Sequence, residues 1–380
     1  MVNTHLTQAK NVKNDEFYTQ YHDIEKEINA YIEYNPDVFK DKIILLPCDD
    51  PEWSNFTKYF AQNFEKFKLK KLISTSYAVE SKTYKEGYET TLFEKGSPNF
   101  DKKKTRIRGK FFTLTKDKTG DDRIDIDDLA WQYMEGDGDF RSKIVNKLRD
   151  EADIIITNPP FSLFREFLTW IVEAKKQFLV IGNKNGITYK DIFPLILKNK
   201  IWLGCTSPSE FLLPTGDITK RVNGLTRWFT NIEHGRRHQP LPLMTMEDNF
   251  KYNKKMKDKK SYDKYDNYGA IEVPSINAIP SDYKGVMGVP ITFLDKYNPE
   301  QFEIIGSDAY DETPPIKKYP KKAKVVDKKR MKSNTGTMGC VIKEDEFGLG
   351  TYFDVGYPVR AVYKRIFIKH KEIKNENRYR

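Results

Sequence analysis

The sequence predicts an α/β protein built on a doubly wound, mostly parallel sheet, with a β-hairpin insertion and a smaller, irregular C-terminal domain. Three observations carry that expectation. Residues 42–46 and 71–75 are apolar runs separated by a helical stretch, which is the βαβ order of a parallel sheet. Ala152-Asp153-Ile154-Ile155-Ile156-Thr157 is a second kind of signal: a β-branched run, as expected of a strand buried on both faces. It stops at Asn158-Pro159-Pro160-Phe161, because two prolines without N–H groups cannot extend a ladder. Helix and strand then alternate again over residues 164–203.

Taken in order, residues 1–14 are polar, and Asp15-Glu16-Phe17-Tyr18-Thr19 precedes an amphipathic helix expected over 20–34. Ile24, Ile28 and Tyr31/Ile32 form its apolar stripe, and Asn35-Pro36 ends it. The first strand runs into Pro47-Cys48-Asp49-Asp50-Pro51, followed by an aromatic-rich helix over 54–67 and the strand at 71–75. Residues 81–128 interrupt the alternation with a basic stretch at 102–108, strand-like Phe111-Phe112-Thr113-Leu114 and a turn at Lys118-Thr119-Gly120-Asp121. That pattern reads as a basic β-hairpin insertion. The winding resumes at Leu129, with Gly136-Asp137-Gly138-Asp139-Phe140 in a loop and a helix near 143–149. After the central strand come a helix over 164–174, a strand at 178–181, a helix over 191–197 and a strand at 201–203. Thr226-Arg227-Trp228-Phe229-Thr230-Asn231 is expected as the strand that finishes the sheet.

Beyond Pro240-Leu241-Pro242 the alternation fades. Residues 251–260 hold six lysines, and a second basic block spans 317–332. The expected division is therefore a domain at 1–239, with the insertion at 81–128, and a basic domain at 240–380. No internal repeat is visible.

Composition narrows the function. Sixty-five Lys and Arg against 55 Asp and Glu give a net charge of +10, which favours a polyanionic partner. Twenty-two Tyr and 24 Phe add rings that can stack on bases, although ordinary core claims most of them. Three distant cysteines and five scattered histidines give neither a disulfide framework nor a metal-ligand spacing, so no metal is expected. The N-terminus lacks the features of a signal peptide and no apolar run approaches the ~18 residues of a membrane span. A soluble protein of a reducing compartment is expected, with no membrane partner. No Gly-x-Gly-x-x-Gly follows the first strand, which argues against a nicotinamide-dependent dehydrogenase.

The chemistry centres on Asn158-Pro159-Pro160-Phe161. A stiff loop at the carboxyl end of a central strand is where open α/β sheets place ligand sites. The Asn158 side-chain carbonyl and the Pro159 carbonyl are two acceptors suited to an exocyclic amino group, which offers two hydrogens. Drawing on those hydrogens leaves the nitrogen lone pair less delocalised into its ring. Phe161 can stack on the ring face.

These four residues resemble the [Asn/Asp/Ser]-Pro-Pro-[Tyr/Phe/Trp] motif of amino-methyltransferases dependent on S-adenosylmethionine. The chain as a whole resembles the EcoRI-type adenine-specific DNA methyltransferase family. Phe17-Tyr18-Thr19 is similar to that family's N-terminal cofactor element, and Leu46-Pro47-Cys48-Asp49-Asp50-Pro51 stands in the place of its first cofactor loop. Asp139-Phe140 resembles the element against the cofactor's adenine, and the strand with Trp228 and Phe229 the one bordering the target base. The order, cofactor elements before the catalytic loop before a C-terminal recognition region, resembles the gamma class. The likeness covers 15–231 motif by motif, and 240–380 by position and composition.

That resemblance implies a Rossmann-like methyltransferase fold and S-adenosyl-L-methionine as cofactor. It implies N6 methylation of an adenine turned out of double-stranded DNA, as in restriction–modification. Catalytic roles fall to Asn158, Pro159, Pro160 and Phe161, and the target-base pocket to Trp228 and Phe229. Cofactor contacts fall to Phe17, Tyr18, Thr19, Pro47, Cys48, Asp49, Asp139, Phe140 and Asn158. A monomer in a prokaryotic or phage-derived cytoplasm is expected; a cognate restriction endonuclease, where one exists, would share its site without forming a complex. The chain departs from the common methyltransferase pattern in two places. Asp49-Asp50-Pro51-Glu52-Trp53 has no glycine, and the strand ending Ser74-Thr75-Ser76 lacks the usual acid for the ribose hydroxyls. Asn-Pro-Pro-aromatic also suits an RNA adenine or a protein glutamine, and a non-catalytic DNA-binding protein could keep the same fold.

Overall fold

The computed structural model describes residues 18–52, 54–78, 101–116, 131–208, 210–212, 218–219, 224–308, 324–326, 340–343 and 352–371. The chain divides into two compact units, one of residues 2–192 and 200–235, the other of 193–199 and 236–380.

The first unit is organised on an eight-stranded sheet. Its strands are β2 (Ile43–Leu46), β3 (Lys71–Thr75), β4 (Lys110–Leu114), β5 (Gln132–Tyr133), β6 (Ile154–Thr157), β7 (Gln177–Asn183), β8 (Trp202–Leu203) and β11 (Thr226–Thr230), in the spatial order β5-β4-β3-β2-β6-β7-β11-β8. The central four, β3, β2, β6 and β7, are parallel, with Leu45 opposite both Ile73 and Ile155. β4 and β5 continue the sheet antiparallel on one side, and β11 inserts antiparallel between β7 and β8 on the other. A short strand, β1 (Tyr18–Thr19), pairs with β9 (Phe211–Leu212), which pairs in turn with β10 (Ile218–Thr219).

Period-two alternation sorts the sheet residues. Ile44, Leu46, Leu72, Ile154, Ile156, Leu179, Ile181 and Trp228 join one buried cluster with Ile24, Ile28 and Tyr31 of helix α1 (Tyr21–Tyr34). Phe56, Tyr59 and Phe60 of helix α2 (Asn55–Gln62) complete that cluster. Leu45, Ile73, Ile155, Val180 and Phe229, at the alternate positions, are also buried, so β6 has no solvent face.

Several expectations are corrected. Helix α2 ends at Gln62 rather than near 67, because Asn63 leaves helical geometry and turns carry Phe64 and Phe67 back into the core. Lys68 has a positive φ there. The helix expected over 191–197 begins only at Phe193. The late strand, β11, does not finish the sheet; the earlier β8 takes the edge. Phe111-Phe112-Thr113-Leu114 is not peripheral, because β4 pairs along β3 from Leu72↔Leu114 to Thr75↔Phe111. The basic stretch before it is a short helix, Lys102–Ile107. The turn expected at 118–121 lies outside the described residues, as do Phe17 and the whole of 79–100.

The second unit is not irregular. It contains a four-stranded sheet in the order β12 (Ala270–Glu272), β13 (Val286–Pro290), β19 (Arg365–His370), β14 (Phe302–Ser307). A second sheet orders β15 (Lys324–Val326), β17 (Tyr352–Asp354), β18 (Pro358–Ala361) and β16 (Val341–Lys343). Arg365 and Glu272 form a buried ion pair within the first of these sheets, with Tyr265 donating its hydroxyl to Glu272. The six lysines of 251–260 are all exposed.

Candidate active site

The parallel strands deliver their carboxyl ends to one edge of the sheet. From β2 the chain winds to β3 on one side, whereas β6 leads to β7 on the other. The order therefore reverses between β2 and β6, and such switch points are where open α/β sheets bind ligands. The loops that follow these two strands are Pro47-Cys48-Asp49-Asp50-Pro51 and Asn158-Pro159-Pro160-Phe161.

The loop of Asn158 to Phe161 is short and constrained. Pro159 is buried, whereas Asn158, Pro160 and Phe161 are half-buried. The Leu163 N–H donates to the Pro160 carbonyl at 2.9 Å, closing a single 3₁₀ turn that leads into helix α5 (Phe164–Glu173), numbered after α3 (Lys102–Ile107) and α4 (Lys143–Glu151). Phe161 packs against the core cluster and keeps part of its ring exposed. Asn158 Nδ2 donates to Thr19 Oγ1 at 3.3 Å, joining β1 to the loop after β6. Thr19 is itself buried and takes a bond from Asn55 Nδ2 at 2.8 Å through its carbonyl. Tyr18, its neighbour, is exposed.

The loop after β2 owes its shape to hydrogen bonds instead of glycines. The Asp49 N–H donates to the Thr75 carbonyl at 2.9 Å, Ser74 Oγ donates to the Asp49 carbonyl at 2.6 Å, and Thr75 Oγ1 to the Pro47 carbonyl at 3.1 Å. The Asp49 carboxylate accepts from Ser54 Oγ and from Thr157 Oγ1, both at 2.6 Å. Burial pushes the Asp49 pKa up to about 7 despite these two bonds. Cys48 is half-buried and Pro47 buried. Lys110, buried at the start of β4, places its Nζ 2.8 Å from Glu52 Oε2 and 3.2 Å from Asp50 Oδ2, over the Trp131 ring at 4.7 Å. Burial alone would lower its pKa, but the two carboxylates outweigh it and hold the ammonium above its ordinary range.

The Asp139 loop reaches the same edge by a close backbone approach. Gly138 has φ +81°, and a Cβ there would lie 2.1 Å from the Ser76 carbonyl oxygen; one on Gly109 would lie 2.5 Å from the same atom. Only glycine fits at Gly138. Asp139 is half-buried, and hydrogen bonds from Arg141 hold its carboxyl below the usual range. Phe140 is buried, its ring 5.1 Å from Phe167 and 5.5 Å from Trp170.

Trp228 and Phe229 sit on β11, opposite Ile181 and Val180 of β7. Both are fully buried, Trp228 in the core cluster and Phe229 against Phe164 at 4.9 Å on the opposite face of the sheet. Neither offers a ring face to solvent, so their surroundings are those of packing residues. The structure thus brings together Thr19, Pro47, Cys48, Asp49, Asn158, Pro159, Pro160 and Phe161 around the switch point, with Asp139 at the end of β3. Sequence reasoning missed Ser54, Asn55, Ser74, Lys110 and Thr157. Ser54 carries a usable signal, since Ser before an apolar helical stretch is an N-cap, and its Oγ does accept from Phe56 N. Among the described residues, no group of three or more His, Cys, Asp or Glu could hold a metal, and no helix is long and apolar enough to cross a membrane.

The family model for the adenine-specific methyltransferase EcoRI matches residues 5–371. The chain belongs to that family. The methyltransferase is 43% identical to the Type II methyltransferase M.EcoRI of Escherichia coli over 316 residues, covering 79% of this chain and 88% of the relative. It is 33% identical to the Type II methyltransferase M.MgeORF184P of Mycoplasma genitalium and 32% identical to M.MpnI of Mycoplasma pneumoniae, each over 319 residues that cover 79% of this chain and 85% of the relative. No solved structure matches it. The large mixed sheet of the first unit is consistent with a methyltransferase fold.

Proposed function

We propose that this methyltransferase modifies the N6 amino group of adenine in duplex DNA, at a specific site, using S-adenosyl-L-methionine. The observation that carries this reading is Asn158-Pro159-Pro160-Phe161 at the carboxyl end of the switch-point strand, in a chain of this family. Asn158 is half-buried and fixed through Nδ2, which leaves its side-chain oxygen as the acceptor for an amino hydrogen. The Pro159 carbonyl serves as the second acceptor, and the part-exposed ring of Phe161 stacks on the base. Because N6 is paired within the duplex, the adenine must leave the stack to reach these groups. Rate then comes from positioning and from acceptors matched to charge developing on nitrogen.

The residues at the edge fit the methyl donor. The Thr19 hydroxyl at the end of β1, half-buried Cys48 and the carboxylate of Asp139 stand at that edge, offering polar groups to the amino-acid and nucleoside ends of such a molecule. When bound, the donor supplies an electrophilic methyl group on a sulfonium. Tyr18, Pro47 and Phe140 belong with them to the set assigned to holding it, which also names Phe17, Asp49 and Asn158. In the second unit, the exposed lysines of 251–260 and the exposed ring of Tyr252 suit phosphate contacts that position the duplex. One extrahelical base needs one active site, so a monomer suffices. Incubation with tritiated donor and, separately, duplex DNA, RNA and protein tests the assignment. Label entering duplex DNA as N6-methyladenine is the expected result, and label entering only RNA or protein refutes it.

A further inference from the structure

Six residues close a circuit around the switch point. Asn158 Nδ2 donates to Thr19 Oγ1 at 3.3 Å, and the Thr19 carbonyl accepts from Asn55 Nδ2 at 2.8 Å. Ser54, the peptide neighbour of Asn55, donates to Asp49 Oδ1 at 2.6 Å. Asp49 Oδ2 accepts from Thr157 Oγ1 at 2.6 Å, and Thr157 is bonded covalently to Asn158. Thr157 is 0% exposed and Asp49 6%. Both carboxylate oxygens of Asp49 are therefore engaged by protein hydroxyls in a buried setting, and its backbone N–H and carbonyl are bonded to Thr75 and Ser74. Little of Asp49 is left to meet a ligand.

Resting on the active-site reading above, we infer that Asp49 and Thr157 are a positioning pair for the methyl-acceptor side of the site, and that Asp49 is not a ligand of the methyl donor. Thr157 is the last residue of β6, so its side chain sets the direction in which the chain leaves the strand and presents Asn158. Its hydroxyl is tied to the carboxylate of Asp49, a residue whose backbone carbonyl and N–H are fixed to β3 by Ser74 and Thr75. Thr19 holds the far end of the Asn158 side chain. Held from both sides, the Asn158 oxygen keeps one place relative to the Pro159 carbonyl. Loss of either anchor lets the acceptor pair drift, and a displacement near 1 Å costs up to about 100-fold in rate.

The test uses the full-length protein, with steady-state methylation of duplex DNA and calorimetric titration of S-adenosylmethionine. Thr157→Val keeps the shape and removes the hydroxyl. It is expected to lower kcat by roughly 10- to 100-fold while leaving donor affinity within about twofold. Thr157→Ser, which retains the hydroxyl, is expected to recover most of kcat. Asp49→Asn, an independent variant if Thr157→Val does not fold, is expected to show the same kcat-selective loss. Wild-type kcat for Thr157→Val overturns the inference. So does an Asp49→Asn protein that binds the donor weakly yet turns over normally at saturating donor, since Asp49 would then be its ligand. Asn158→Ala run in parallel separates the two levels. If Asn158→Ala is active, the active-site reading fails; if it is inactive while Thr157→Val is unaffected, only the positioning pair fails.

Discussion

Asp49 couples pH to the stability of the first unit. Its carboxyl is enclosed by Ser54, Thr157 and the neighbouring Asp50. Burial raises its pKa from 3.8 to about 7, Ser54 and Thr157 oppose the rise, and the like charge of Asp50 adds to it. A carboxyl with a higher pKa in the folded state binds its proton more tightly there than in the unfolded chain. Stability from this group is therefore greatest at low pH and falls as the pH rises from the unfolded value toward the folded one. At about 1.4 kcal/mol per pKa unit, the fall amounts to roughly 2.5 kcal/mol between about pH 5 and about pH 8. Asp49→Asn removes the titration while keeping the size of the side chain. Urea unfolding of both proteins across that range is the assay. The variant is expected to gain on the wild type by roughly 2.5 kcal/mol as the pH rises, whatever its offset at low pH. Parallel pH profiles, or a wild type that gains on the variant, refute the reasoning.

Three other substitutions probe separate parts of the site. Lys110→Met leaves Asp50 and Glu52 facing each other without their cation, and is expected to cost about 3 kcal/mol in unfolding free energy and to weaken donor binding in calorimetry. Gly138→Ala forces a Cβ into the Ser76 carbonyl at a positive φ, so thermal unfolding is expected to show a loss of about 2 kcal/mol or more. Phe161→Ala removes the stacking face and is expected to lower kcat/KM for duplex DNA by about 5- to 150-fold, the equivalent of roughly 1–3 kcal/mol, with the fold intact by circular dichroism.

What could be seen in the sequence was local. Ile154-Ile155-Ile156 followed by two prolines reports a buried strand and its end, because proline chemistry acts within one or two residues. The same holds for β2, β3 and α1, whose periodicity is unbroken. The links that make the site were not visible, because sheet topology decides them: Asn158 and Thr19 are 139 residues apart, Thr157 and Asp49 108, and Lys110 and Glu52 58. Lys110 lies just past the basic stretch at 102–108, and only the pairing of β4 with β3 brings it to Glu52. The end of α2 was missed for a different reason. Phe64 and Phe67 continue an apolar spacing that a helix would also show, although turns carry them. In the second unit, strands of only three to six residues give too short a period to detect. Trp228 and Phe229 illustrate a limit of motif position: a late aromatic strand was in the expected order, yet full burial follows from its insertion between β7 and β8.

The most direct measurement is methyl transfer to duplex DNA by wild type and by Asn158→Ala, with donor binding followed calorimetrically on the same preparations. The account expects N6-methyladenine from the wild type, almost none from Asn158→Ala, and similar donor affinity for both. Equal turnover by the two proteins would contradict it.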